Sequence, residues 1–119
     1  MLFTKRKIEL NFVPKILNIP INRKETVRFL GVLVDEKLTW NQHISAIKSK
    51  MSRYVGIMYT LKAILRFSAR KNIFHSFVQS HLNYCSLVWG LSAKSKIETL
   101  SSEQKKAIRA LMPCYYITL

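Results

Sequence analysis

The sequence predicts an α+β fold in which short N-terminal antiparallel strands precede a three-helix bundle. Three observations carry that prediction. Ile8, Leu10 and Phe12 alternate with Lys7, Glu9 and Asn11, the period of two expected of a strand with one wet face. The run Thr26 to Val34 is rich in β-branched and aromatic residues, which suit a pleated, half-buried surface. From Ile44 onward apolar residues recur at spacings of three and four, the mark of an amphipathic helix.

Taken in order, Lys7 to Phe12 reads as the first strand. Pro14 and Pro20 bracket Lys15 to Ile19, and because proline lacks a ladder donor this piece is expected as an edge strand or loop. Asn22 to Glu25 forms a polar turn into the run Thr26 to Val34. Gly31 in its middle marks either a bulge or a point where another backbone approaches closely. Thr39-Trp40-Asn41-Gln42 has the Thr-x-x-Gln spacing of a capping box, so a helix is expected to start there. Ile44, Ile47, Met51, Val55, Met58, Leu61 and Leu65 give that helix one apolar stripe. Ser68 is expected to cap a second helix with a broad face of Ile73, Phe74, Phe77, Val78, His81, Leu82, Cys85 and Val88, stopped by Gly90. A third helix places Ile97, Leu100, Ala107, Ile108 and Leu111 inward and cannot pass Pro113. The expected organisation is residues 1–37 for the extended pieces and 38–119 for the helices.

Composition narrows the function classes. The chain has 119 residues, 20 Lys+Arg against 6 Asp+Glu, and a formal charge of +14. Its 49% hydrophobic content is too high for a disordered basic tail, so a core is expected. One compact domain, or one domain plus a hairpin, fits this length, burying roughly two-thirds of the unfolded chain's surface. Asp35 is the one Asp, and so few carboxylates argue against an independent two-metal enzyme, whose hard cations need clustered acids. Lys5-Arg6-Lys7 is followed by no long apolar stretch. No secretory signal is therefore expected, and the protein is read as soluble and intracellular, nuclear or cytoplasmic, without a membrane. Cys85 and Cys114 are expected as reduced buried thiols.

The strongest functional signal is charge. Lys48, Lys50, Arg53, Lys62, Arg66, Arg70 and Lys71 run along the first helix and across its turn into the second, while Glu and Asp are absent from Leu38 through Lys96. No acid is available there for helix-face ion pairs, so the cluster is not an alternating-sign solvated surface. Such self-repulsion is relieved by an anionic partner, and a phosphate backbone supplies closely spaced negative charge. An acidic protein surface is the other partner considered. His75, His81 and Cys85 lack the second ligand pair of a closed zinc site, and packing explains them. His81 and Cys85 also lack the oriented third group of a nucleophilic pair. No glycine-rich phosphate loop is present. Tyr54, Tyr59, Tyr84, Trp40 and Trp89 are candidates for base stacking, though the two Trp read better as anchors at helix ends.

The run Val27-Arg28-Phe29-Leu30-Gly31-Val32-Leu33-Val34-Asp35-Glu36-Lys37-Leu38-Thr39-Trp40-Asn41-Gln42-His43-Ile44 resembles the segment just after the palm of reverse transcriptases of non-LTR (LINE-like, jockey-type) retrotransposons. Ile57 to Leu61, Ser80 to Gly90 and Glu103 to Arg109 continue the resemblance in the order expected of that family's thumb. It implies that Phe29, Leu30 and Gly31 form a primer-grip-like hairpin and that the basic helices contact template–primer backbone. Residues 1–37 would then hold the end of the palm and the hairpin, and 38–119 a thumb-like domain. The family's aromatic-Ala-Asp-Asp turn has no counterpart here.

The resulting expectation is a fragment resembling an RNA-directed DNA polymerase, binding RNA/DNA or DNA duplex through its backbone and not catalytic on its own. The resemblance implies no cofactor in this part; a divalent metal such as Mg would belong to the missing palm, and a palm and fingers polypeptide is a further partner. With about six phosphate contacts the log–log salt slope of binding would be near −5. The alternatives are a small basic helical interaction module, docking through Leu17, Ile19 and Ile21, or a relic reading frame.

Overall fold

The computed structural model describes residues 3, 4, 6 and 11–112. The strand expected over Lys7–Phe12 lies outside them except for its last two residues, as do Pro113 and Cys114. The chain divides into two compact units, Met1–His43 and Ile44–Leu119.

The first unit is built on two hairpins. Strands β1 (Lys15–Ile16) and β2 (Ile19–Pro20) pair antiparallel with Ile16 opposite Ile19, joined by Leu17 and Asn18 at φ 47° and 63°. The piece between the prolines is thus a two-residue-turn hairpin. Pro20 stands opposite Lys15 at a position whose amide the hairpin does not use, since the next bond runs from the Ile21 amide to the Pro14 carbonyl at 2.8 Å.

The run Thr26 to Val34 is likewise folded back on itself. Strand β3 (Thr26–Phe29) pairs antiparallel with β4 (Val32–Asp35), from Thr26 opposite Asp35 to Phe29 opposite Val32. The reason is local: Leu30 and Gly31 both have positive φ, 48° and 80°, the combination that a two-residue type I′ turn requires. Gly31 is therefore a turn residue and not a bulge within one strand.

Asp35 then organises the chain's entry into α1 (Asn41–Leu61). Its Oδ2 accepts from the Thr39 amide at 3.0 Å and the Thr39 hydroxyl at 2.7 Å, and its Oδ1 from the Trp40 amide at 2.9 Å. Leu38 and Trp40 both take positive φ around this knot. The Thr39 hydroxyl of the expected capping box thus donates to Asp35. A second tie follows two residues into α1, where the Leu33 amide donates to Nδ1 of the buried His43 at 3.3 Å. These bonds join the first residues of α1 to the hairpin, which accounts for a unit boundary after His43.

The second unit is helical. Ile44, Ile47, Met51, Val55 and Met58 are buried on one stripe of α1, as the periodicity predicts. After a turn at residues 62–65 the backbone is helical without a break from Phe67 to Asn83: α2 (Phe67–Ile73), a π-helical stretch (Phe74–Gln79) and α3 (Ser80–Asn83). Arg66 occupies the cap position, so Ser68 falls inside the first turn and caps nothing. The π register is shown by the Ser80 amide bonding to the His75 carbonyl, five residues back, and it turns Phe74 and Val78 into the core.

The second helix expected as one piece is interrupted at Tyr84 and Cys85, where Cys85 adopts φ 50° before the single turn α4 (Ser86–Trp89). That turn seats the buried Trp89, whose Nε1 donates to the Tyr84 carbonyl at 3.0 Å. Gly90 does end α4, but with right-handed φ of −67°; glycine is needed because a Cβ would collide with the Ser86 carbonyl. Helix α5 (Lys94–Leu111) buries Leu100, Glu103, Ala107 and Ala110. Ile108 is exposed, contrary to expectation, because Glu103 and Ala110 share the inward face with Leu100 and Ala107.

Candidate nucleic-acid interface

In the first unit, Phe29 and Leu30 stand at the tip of the β3–β4 hairpin, 66% and 74% exposed. Two large apolar side chains are thus presented to solvent by a turn whose geometry Gly31 completes. Two further ties hold the sides of this unit: Arg23 pairs with Glu36 at 2.8 Å, and the Thr4 amide donates to the Glu36 carbonyl at 3.0 Å.

In the second unit the seven predicted cations separate into three groups. Lys48, Lys50, Arg53, Arg66 and Lys71 are exposed, and none lies within ion-pair distance of an acid among the described residues. At about 100° per residue, Lys48 and Lys50 stand on opposite flanks of the buried stripe of α1. One straight anion therefore cannot meet both.

Lys62 is half-buried, and its ammonium donates to the Arg109 carbonyl in the last turn of α5 at 3.2 Å, 5.8 Å from the centre of the Tyr59 ring. A cation at a helix C-terminus meets the negative end of the helix dipole. Arg70 departs most from the prediction: it is only 6% exposed, with its Nε unpartnered, and so is not part of the solvent-facing cluster.

An acid that the sequence reading left unassigned controls the local field. Glu103 is buried on α5, accepts from the Ser52 hydroxyl of α1 at 3.0 Å, and pairs with Lys106 at 2.9 Å. Burial pushes its pKa up, but the hydrogen bonds from Lys106 and Ser52 and the charges of Lys106 and Lys48 outweigh it and hold the carboxyl below its usual range. Its position three residues after Leu100 and four before Ala107 was the available signal: an acid on the apolar face needs a partner from a neighbouring helix.

The aromatic candidates divide similarly. Tyr54 stacks on Phe77 with centroids 4.8 Å apart and lies 5.8 Å from the His81 ring, so packing occupies it. His81 in turn donates from Nδ1 to the Phe77 carbonyl at 2.7 Å. Trp89 is an interior anchor, whereas Tyr59 and Tyr84 keep exposed faces. A cavity of about 300 Å³ beside Trp89 is lined by Leu82, Ile97, Leu100, Ser101 and Gln104. Among the described residues no three or more His, Cys, Asp or Glu side chains gather as a metal site, and no helix is long and apolar enough to cross a membrane.

Comparison with known proteins bears on this geometry. No model of a protein family matches the chain, and no solved structure matches it. Three curated proteins of Drosophila melanogaster do. The "Probable RNA-directed DNA polymerase from transposon X-element" is 26% identical over 102 residues, covering 83% of this chain and 11% of its own length. The "RNA-directed DNA polymerase from mobile element jockey" is 30% identical over 94 residues, 76% of this chain and 10% of its own. The "Probable RNA-directed DNA polymerase from transposon BS" is 25% identical over 101 residues, 82% and 11% respectively. The chain thus spans about a tenth of the length of these relatives. The resemblance to reverse transcriptases of jockey-type mobile elements is borne out: most of this chain is similar to one segment of their RNA-directed DNA polymerases.

Proposed function

We propose that the helical unit acts as the thumb-like segment of an RNA-directed DNA polymerase, holding a template–primer duplex through its phosphate backbone, while Phe29, Leu30 and Gly31 act as a primer-grip-like tip. The observation that carries this reading is the set of exposed, unpaired cations in a stretch without acids, in a chain similar to a polymerase segment. Uncompensated positive charge opposes folding of the free chain, and a phosphate backbone relieves it by neutralisation and counterion release. Backbone contact positions a duplex without reading its sequence, so base preference is expected to be small.

Catalysis is assigned to other parts of such an enzyme. The described residues offer no carboxylate cluster for the divalent metal of polymerisation, and no step through a metal is assigned to them. A salt series with a mixed-sequence duplex tests the binding reading. Four phosphate contacts give a log–log slope of about −3.6, and a slope near zero overturns the proposal.

A second reading has its own observation: Ile16, Leu17 and Ile19 of the β1–β2 hairpin are exposed, Leu17 at 92%. On that reading the hairpin is a docking edge for a palm and fingers polypeptide, and the isolated chain self-associates. Sedimentation separates the two, since a monomer that binds duplex needs no docking partner.

A further inference from the structure

Two bonds join α1 and the turn that follows it to α5, in the same order along both segments. Ser52 donates to Glu103 at 3.0 Å, and Lys62 donates to the Arg109 carbonyl at 3.2 Å. Along these two bonds the segments advance in the same direction. One turn before Ser52, on the same flank of α1, stands Lys48, and its charge acts on Glu103. Beyond Glu103 come Lys106, which pairs with it at 2.9 Å, and Arg109, which shares a flank of α5 with Lys106 at a spacing of three. Lys48 on α1, Lys62 in the turn after it and Lys106 on α5 thus gather where these segments meet, with Arg109 one turn beyond Lys106, and neither Lys106 nor Arg109 belongs to the acid-free stretch that drew attention in the sequence.

We infer that the phosphate backbone lies along the seam between α1 and α5, held by Lys48, Lys62, Lys106 and Arg109. This rests on the proposed duplex-binding role and says which surface performs it. Each lysine ammonium has three donors, so one bond to Glu103 or to the Arg109 carbonyl leaves donors for phosphate oxygens. Those internal bonds also reduce the side-chain freedom that a phosphate contact would otherwise have to remove. The surface first expected, along α1 and across its turn into α2, is less able to act as a unit. Lys50 faces the opposite flank of α1 from Lys48, and Arg70 is buried. A nucleic-acid strand carries closely spaced phosphates, which cations brought together from α1, its following turn and α5 can neutralise.

The test compares two double variants of equal charge loss in the full chain: Lys48→Gln with Arg109→Gln, and Lys24→Gln with Lys37→Gln. All four residues are exposed, and Arg109→Gln keeps the backbone carbonyl that Lys62 uses. Circular dichroism melts check that both variants keep the wild-type fold. In a salt series with a mixed-sequence duplex, the first pair is expected to make the slope shallower by about two, and the second to leave it unchanged. The reverse result places the duplex on another face and overturns the seam while leaving the duplex-binding role intact. Equal losses mean that binding follows net charge alone, which also overturns the seam. Wild-type protein that binds a polyglutamate peptide but not duplex overturns both.

Discussion

Two carboxylates, Asp35 and Glu103, do structural work out of proportion to their number. For Asp35, desolvation raises the pKa, but the Thr39 hydroxyl and the Thr39 and Trp40 amides outweigh it, so the group is held below the usual carboxylate range. Glu103 is held low in the same sense by Lys106, Ser52 and the charge of Lys48. A carboxyl whose folded pKa lies below its unfolded value contributes stability above the unfolded value, and loses it as pH falls through the folded one. Stability is therefore expected to be level near neutrality and to fall below about pH 4. Glu103→Gln should be less stable at pH 7 and should flatten the acid limb of the second unit. Denaturant midpoints from neutral to strongly acidic pH check this, and an unaltered acid limb in the variant would show that Glu103 is not held low.

At the scale of elements, the turns are the most constrained features. Leu30 holds φ 48° without being glycine, which costs about 1–2 kcal/mol against a relaxed conformation, and Gly31 holds φ 80°. Asparagine suits the first position of a type I′ turn, so Leu30→Asn is expected to stabilise the β3–β4 hairpin by about 0.5–1 kcal/mol. Gly31→Val should destabilise it by about 1–2 kcal/mol, since a β-branched side chain tolerates positive φ poorly. Chemical denaturation of the two variants measures both signs. Because Leu30 is exposed, a gain in stability that comes with weaker primer-end binding would mark this apolar tip as retained for contact and not for folding. The same economy of position appears at Cys85, whose left-handed backbone ends α3 and lets α4 bring Trp89 inward.

At the scale of the molecule, a formal charge of +14 links stability and binding through salt, with opposite signs. Added salt screens repulsion within the free chain, so its melting temperature should rise between low and moderate ionic strength. On the proposed duplex-binding role, the same salt competes with counterion release and is expected to weaken binding. At low salt, duplex should raise the melting temperature by mass action, and that gain should vanish as salt increases. Differential scanning calorimetry with and without duplex, at several salt concentrations, reads both effects. A free chain that melts lower in moderate salt would show that its charges are already balanced in the fold.

The α+β class, the buried stripe from Ile44 to Met58 and the concentration of positive charge were all readable from sequence. Periodicity and composition are properties of the chain itself, and a stripe at spacings of three and four must be buried whatever covers it. The two hairpins were less legible, because Leu17-Asn18 and Leu30-Gly31 make tight turns without the Asn-Gly or Asp-Gly pair that usually announces them. The candidate interface was legible in kind and not in detail. Spacing places Lys62 and Arg70 beside the other cations, but only packing sends one to the Arg109 carbonyl and the other into the interior. Glu103 and Lys106 join Ser52 across a gap of 51 residues, for the same reason. Which helix faces which, and in what register, depends on the fit of side chains from distant segments, and a one-dimensional pattern states a helix's inner face without naming its neighbour.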